Sequence, residues 1–167
     1  MNIFVLDKDP NRCAMYHCDK HVVKMVTEHA QMLSTAVRSV GIDAGYKSTH
    51  VNHPCNKWLR ESFNNWLWLF DLTKFLHDEW QYRYGHPSTK IHKAWDVARD
   101  LPYPDGLPDV PMTPFALAMP DQYKSNDPVK AYRDYYFGDK QHIASWKKRG
   151  EPEWFTERKI DIDKIAK

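Results

Sequence analysis

Glycine is scarce, at 6 of 167 residues, and no stretch is apolar for the length a bilayer needs. The richest run, Trp66 to Leu76, is cut by Asp71 and Lys74. No transmembrane span is therefore expected, and few glycines disfavour a turn-rich β-sandwich. Cys13, Cys18 and Cys55 are odd in number and form no C-x-x-C pair. That speaks against a disulfide framework and for a reducing compartment. The opening Met-Asn-Ile-Phe-Val-Leu is too short for a signal peptide before Asp7, Lys8 and Asp9, so a soluble, cytoplasmic protein is expected. Net charge is only +2, so any nucleic-acid surface must be local rather than compositional. Walker loops, dinucleotide glycine fingerprints and G-x-S-x-G are all missing, which disfavours ATP, NAD and serine-hydrolase chemistry.

Large side chains are abundant instead, with 7 Trp, 9 Tyr and 7 Phe. Their spacing is helical. Asn2 to Leu6 reads as a short strand or extended arm. Asp9 and Pro10 form a cap and first turn, opening one long helix to about Val40. Its apolar arc is Val22, Val26, Ala30, Leu33 and Val37. Pro54 opens a second helix that Gly85 stops, apolar in nearly every direction between Trp66 and Leu76. Pro87 and Ser88 start a shorter third helix through Asp100. Leu101 to Pro120 carries six prolines and must be a long crossing loop. Asn126-Asp127-Pro128 caps a last helix, Val129 to Arg149, and a charged tail follows. The expectation is an all-α, single-domain bundle over residues 1–167. It has about four main helices, an N-terminal extended arm, a Pro-rich crossing loop at 101–120 and a charged tail at 153–167.

The first helix carries unusual chemistry. His17, His21, Lys24, Glu28 and Gln31 recur at spacings of 4, 3, 4 and 3. At about 100° per residue they fall within one stripe less than a quarter-turn wide. An amine beside a carboxylate and imidazoles can act as a nucleophile if burial lowers its pKa, and the carboxylate can hold or shuttle a proton. The same stripe is also what the solvated face of an amphipathic helix looks like, with Lys24 and Glu28 a plain i,i+4 pair. Histidine is a poor filler for such a face. Further histidines lie at a turn that can approach it.

That turn holds His50, His53 and Cys55. With His17 and His21 it offers four imidazoles to a divalent metal, although the spacing matches no closed zinc motif. The other reading makes His53 and Pro54 a helix entrance and Cys55 core. Elsewhere Lys57, Arg60, Arg83, Lys90 and Lys93 sit among Trp58, Trp80, Tyr82, Tyr84 and Trp95, and Lys147 to Arg149 follow Trp146. Cations beside stacking rings suit phosphate and base contact. Cations at helix C-termini also suit the macrodipole.

The segments Asn2 to Pro10, Asp19 to Met25, His53-Pro-Cys55, Tyr82 to Gly85, Ala118-Met-Pro120, Ala131-Tyr-Arg133 and Trp154-Phe155 together resemble a family of small phage proteins. The extended arm, a helix bearing His21 and Glu28, and the aromatic Trp154-Phe155 ending resemble the phage pyrimidine-dimer DNA glycosylases of the endonuclease V type. That second resemblance implies an all-helical enzyme that flips a base, cuts the glycosidic bond and forms a Schiff base at C1′. In that family the nucleophile is the amine exposed after Met removal. Asn2 is no good substrate for that removal, so the amine must come from Met1, or Lys24 must replace it.

The expected catalytic set is Lys24, Glu28, His21 and His17. Gln31, Lys20, His53, Lys57, Arg60, Arg83 and Arg133 are expected to bind substrate. DNA or a nucleotide is the expected partner, inside the host cell, with no membrane and no cofactor. A metal-dependent hydrolase on His17, His21, His50 and His53 is one alternative. A non-enzymatic effector binding a host protein is another.

Overall fold

The computed structural model describes residues 1–166. Seven α-helices run α1 (Pro10–Tyr16), α2 (Asp19–Ser39), α3 (Pro54–Glu61), α4 (Phe63–Arg83), α5 (Lys93–Ala98), α6 (Pro128–Asp139) and α7 (Glu153–Ala166), and no strand occurs among the described residues. The fold is the expected all-α bundle. Asp9 caps α1, its side chain accepting from the Asn11 N–H, with Pro10 in the first turn. The arc Val22, Val26, Ala30, Leu33 and Val37 is fully buried. It packs on α4, where the Trp66 indole donates to the Leu33 carbonyl. Burying each of Leu69, Leu72 and Leu76 contributes on the order of 1.5–3 kcal/mol.

The long first helix of the sequence reading is two helices. His17 and Cys18 are extended (ψ 136° and 160°), so the stripe begins at His21 and His17 caps α1. No proline or glycine forces this break. Arg83, at the end of α4, donates to the Met15 and His17 carbonyls, supplying partners for groups that a helix end leaves open. The second helix also breaks, at Ser62. Its side chain caps Asn64 and donates to the Val110 carbonyl, while Phe63 N–H donates to Pro108. The third helix starts only at Lys93, capped by His92, because Gln81 holds the Ser88 and Lys90 carbonyls of the preceding segment.

The last long helix ends at Asp139 rather than Arg149. The chain instead wraps round the α1–α2 junction, with Trp146 donating to Tyr16 and Ser145 accepting from the Asp19 N–H. The charged tail is helical as α7 and buries Trp154 and Phe155; its final residue, Lys167, lies outside the described residues. The crossing loop between α5 and α6 has no helix before Asp121, as its prolines require.

The arm is extended but pairs with no strand. Ile3, Phe4, Val5 and Leu6 are all buried, without the in-out alternation of a half-exposed strand. Side chains bind its carbonyls instead: the Cys13 thiol donates to Phe4, and the Arg133 guanidinium donates to Leu6.

Arg83 is 2 % exposed and was expected on a DNA-facing surface. Instead it makes four internal hydrogen bonds, to Glu79 at 2.8 Å, to Asp19 at 3.2 Å and to the Met15 and His17 carbonyls at the end of α1. Glu79 also binds Arg149, and Asp19 accepts from Ser145 and from the Lys147 N–H. Removing the central cation leaves buried Asp19 without a counter-charge and Glu79 with Arg149 alone. Arg83→Ala should therefore cost about 3–5 kcal/mol. Arg83→Lys should recover little, since a point ammonium cannot span the fork's acceptors. Urea unfolding midpoints of both variants check this.

Candidate active site

The buried arm delivers the chain's first atom to α2. The Met1 ammonium lies 2.9 Å from Glu28 Oε1, and the Met1 side chain is only 4 % exposed. The other carboxylate oxygen faces Lys24 Nζ at 3.7 Å, and Lys24 is 70 % exposed. That oxygen has no hydrogen-bond partner among the described residues. Glu28 thus sits between two amines, one sheltered and one wetted.

A pocket of about 230 Å³ opens over this group. The arm supplies Met1, Asn2 and Phe4; α2 supplies His21, Lys24, Met25 and Glu28; Tyr135 and Lys140 close the far side. Phe4 stacks on His21 at 4.5 Å between ring centroids. The Lys140 ammonium lies over both Phe4 and Tyr135, 5.8 and 5.1 Å from their centroids. His21 Nδ1 shares a 2.5 Å hydrogen bond with the Tyr136 hydroxyl. Burial, then the neighbouring His17, Lys140 and Lys24, push the His21 pKa down to about 3. His21 is therefore a neutral wall group at neutral pH.

The other expected residues divide. Lys20 and Lys57 are exposed, Gln31 is half-buried on α2, and His53 is half-buried at the start of α3. His53 feels the charges of the N-terminal ammonium and of Glu28, so it borders the site, but its Nδ1 is spent capping the Cys55 N–H. Arg60 donates to the Val51 carbonyl. Arg133 points inward, clamping Leu6 and Asp7 against the Tyr16 and Trp154 rings. His17 is fully buried and outside the pocket lining, its Nδ1 proton donated to the Cys13 carbonyl. His50 is exposed, beside Thr49. The four histidines do not form a metal set: among the described residues, no three His, Cys, Asp or Glu converge as metal ligands. Tyr135, Lys140 and Phe4 were not foreseen as pocket walls. Phe4 read as arm, and the other two lie beyond any local spacing that links them to α2.

The first half of the chain carries the arm, α2 and Glu28, and this half is what a known family shares. A family model described as pyrimidine dimer DNA glycosylase matches residues 1–93. The chain belongs to that family. Membership brings DNA glycosylase function at the level of the family, with DNA as the substrate class. Met1, His21, Lys24 and Glu28 lie inside the matched segment, whereas Tyr135 and Lys140 lie beyond it. Searches of curated proteins and of solved structures give no match. No helix among the described residues is long and apolar enough to cross a membrane.

The sheltered histidines make stability pH-dependent. Burial lowers His17 from 6.5 to about 4. The unfolded chain then binds the proton first, so stability is complete above pH 6.5 and falls as pH drops toward 4. At pH 5 this one group should cost about 2 kcal/mol. His17→Gln retains a donor for the Cys13 carbonyl and does not titrate. The gap between its urea stabilities at pH 7 and pH 5 should shrink by about that amount relative to wild type.

Proposed function

We propose that the protein is a base-excision DNA glycosylase with lyase activity, in which the Met1 amine is the nucleophile and Glu28 its partner. The 2.9 Å contact between that amine and Glu28 carries the reading. Lys24 was an equal candidate from sequence. Its amine is farther from Glu28 and mostly solvated, which favours Met1. An amine ready to react must lose its proton, and a carboxylate within hydrogen-bond reach is the group to take it.

The free amine attacks C1′ of the damaged nucleotide. The N–C1′ bond forms as the glycosidic bond breaks; the base leaves with the electron pair and takes up the proton that the new secondary ammonium sheds, which frees the nitrogen lone pair. The C1′–O4′ bond then opens, O4′ takes a proton from the Glu28 carboxyl, and a protonated Schiff base remains. Loss of a C2′ proton expels the 3′ phosphate by β-elimination, breaking the strand. Lys24 and Lys140 line the pocket and, with exposed Lys20 on α2, supply phosphate contacts; Lys57, Arg60, Gln31 and His53 extend that surface along α2 and α3. Neutral His21, held by Tyr136, fixes the Phe4 wall. The enzyme works where DNA is, in the cytoplasm of the host cell.

Borohydride reduces a Schiff base to a stable amine, so the test is covalent trapping on duplexes bearing a pyrimidine dimer, a uracil or an abasic site. The expected adduct maps by peptide mass to Met1. Glu28→Gln should slow it by about 10²–10⁴-fold. Lys24→Ala should still trap, with weaker binding and a shallower salt dependence. No adduct under conditions that trap a control glycosylase, or an adduct on Lys24, overturns the assignment.

A further inference from the structure

The amine can react only where the arm's first residue holds it, and that residue is tied to a segment outside the family match. The Asn2 side chain makes three hydrogen bonds. Its Oδ1 accepts from the Ile3 N–H at 2.7 Å and from the Cys55 thiol at 3.4 Å, and its Nδ2 donates to the Ala118 carbonyl at 2.9 Å. Burial keeps Cys55 protonated, pushing its pKa up to about 11, so it remains a donor.

Ala118 belongs to the Pro-rich loop, and that loop is pinned. The Tyr132 hydroxyl, on α6 and wholly buried, donates to the Ala116 carbonyl at 2.6 Å and accepts from the Ala118 N–H at 3.2 Å. Upstream, buried Asn65 of α4 exchanges two hydrogen bonds with Thr113, and the Trp58 indole donates to the Thr113 carbonyl. The loop is therefore a fixed stop, hung between α4 and α6. Asn2 docks against it one residue from the reactive nitrogen.

Resting on the Met1–Glu28 reading above, we propose that Asn2 is a positioning residue and that the Pro-rich loop, through Tyr132 and Ala118, sets where the nucleophile stands. The loop needs no contact with DNA for this role. Its function is to give the flexible end of a chain one address beside Glu28. A displacement of about 1 Å at a reacting atom costs as much as about a hundredfold in rate.

Asn2→Leu removes all three side-chain bonds while retaining a residue too large for Met removal, which intact mass confirms. Tyr132→Phe keeps the buried ring and deletes only the hydroxyl that pins the loop. Two measurements separate placement from catalysis. The first is reductive methylation of the Met1 amine with formaldehyde and cyanoborohydride, read at the N-terminal peptide without DNA. Both variants should methylate several-fold faster than wild type, and unchanged rates overturn the proposal. The second is single-turnover borohydride trapping on an abasic-site duplex. Both variants should fall by about tenfold or more with affinity for the duplex within about twofold, and Asn2→Gln should recover part of the loss. The double variant should be little worse than either single one, since both break one linkage. Independent, multiplying losses overturn it. If wild type itself fails to trap, the nucleophile assignment falls, while the methylation result still decides whether the loop positions Met1.

Discussion

A buried extended segment without a neighbouring strand has no ladder to satisfy its backbone and must draw hydrogen-bond partners from side chains. Each group left unmatched costs about 1–3 kcal/mol. The arm from Asn2 to Leu6 is served by the Cys13 thiol at the Phe4 carbonyl, the Arg133 guanidinium at the Leu6 carbonyl and its own Asn2 carboxamide at the Ile3 N–H. Arg133 can serve because Tyr16 and Trp154 flank its planar head, and Trp154 is there because α7 folds back. The position of the N-terminal amine thus depends on packing that extends to the last helix. A free chain end fluctuates among many positions; here the surrounding donors leave it one.

The charge chemistry divides in the same way. Asp19, Glu79, Arg83 and Arg149 are balanced against one another inside the molecule and hold the α1–α2 junction to α4 and to the turn before α7. Met1, Lys24, Glu28 and Lys140 form a second group that is only partly balanced and opens to solvent. The first group fixes the start of α2, from which His21, Lys24 and Glu28 project. The second is the group to which the proposed chemistry is assigned.

Much of this was legible in the sequence. The arc from Val22 to Val37 gave the inner face of α2, and the spacing of Lys24, Glu28 and Gln31 gave the outer one. The prolines from Pro102 to Pro120 ruled out helix there. The break at His17 and Cys18 was illegible because its cause is Arg83, far away in the chain, supplying donors to the α1 carbonyls. Arg83 itself carried a misleading signal: a cation among tyrosines reads as a phosphate contact, and although Glu79 sits one turn earlier on the same helix, only the fold brings Asp19 to it. Likewise Tyr135 and Lys140 had no local pattern linking them to Glu28. The arm was readable as extended, yet its burial on every side depends on α6 and the crossing loop arriving later.

The ammonium at Met1 exists only while nothing is joined ahead of it. A purification handle fused to that end would convert the nitrogen to an amide, without a lone pair to offer, and would have to thread out past Phe4 and Lys140. At the opposite end, Ile165 is 85 % exposed on the last turn of α7. Handles, fluorophores and surface tethers therefore belong after the final helix, since under the proposed mechanism a tag at the front removes the nucleophile.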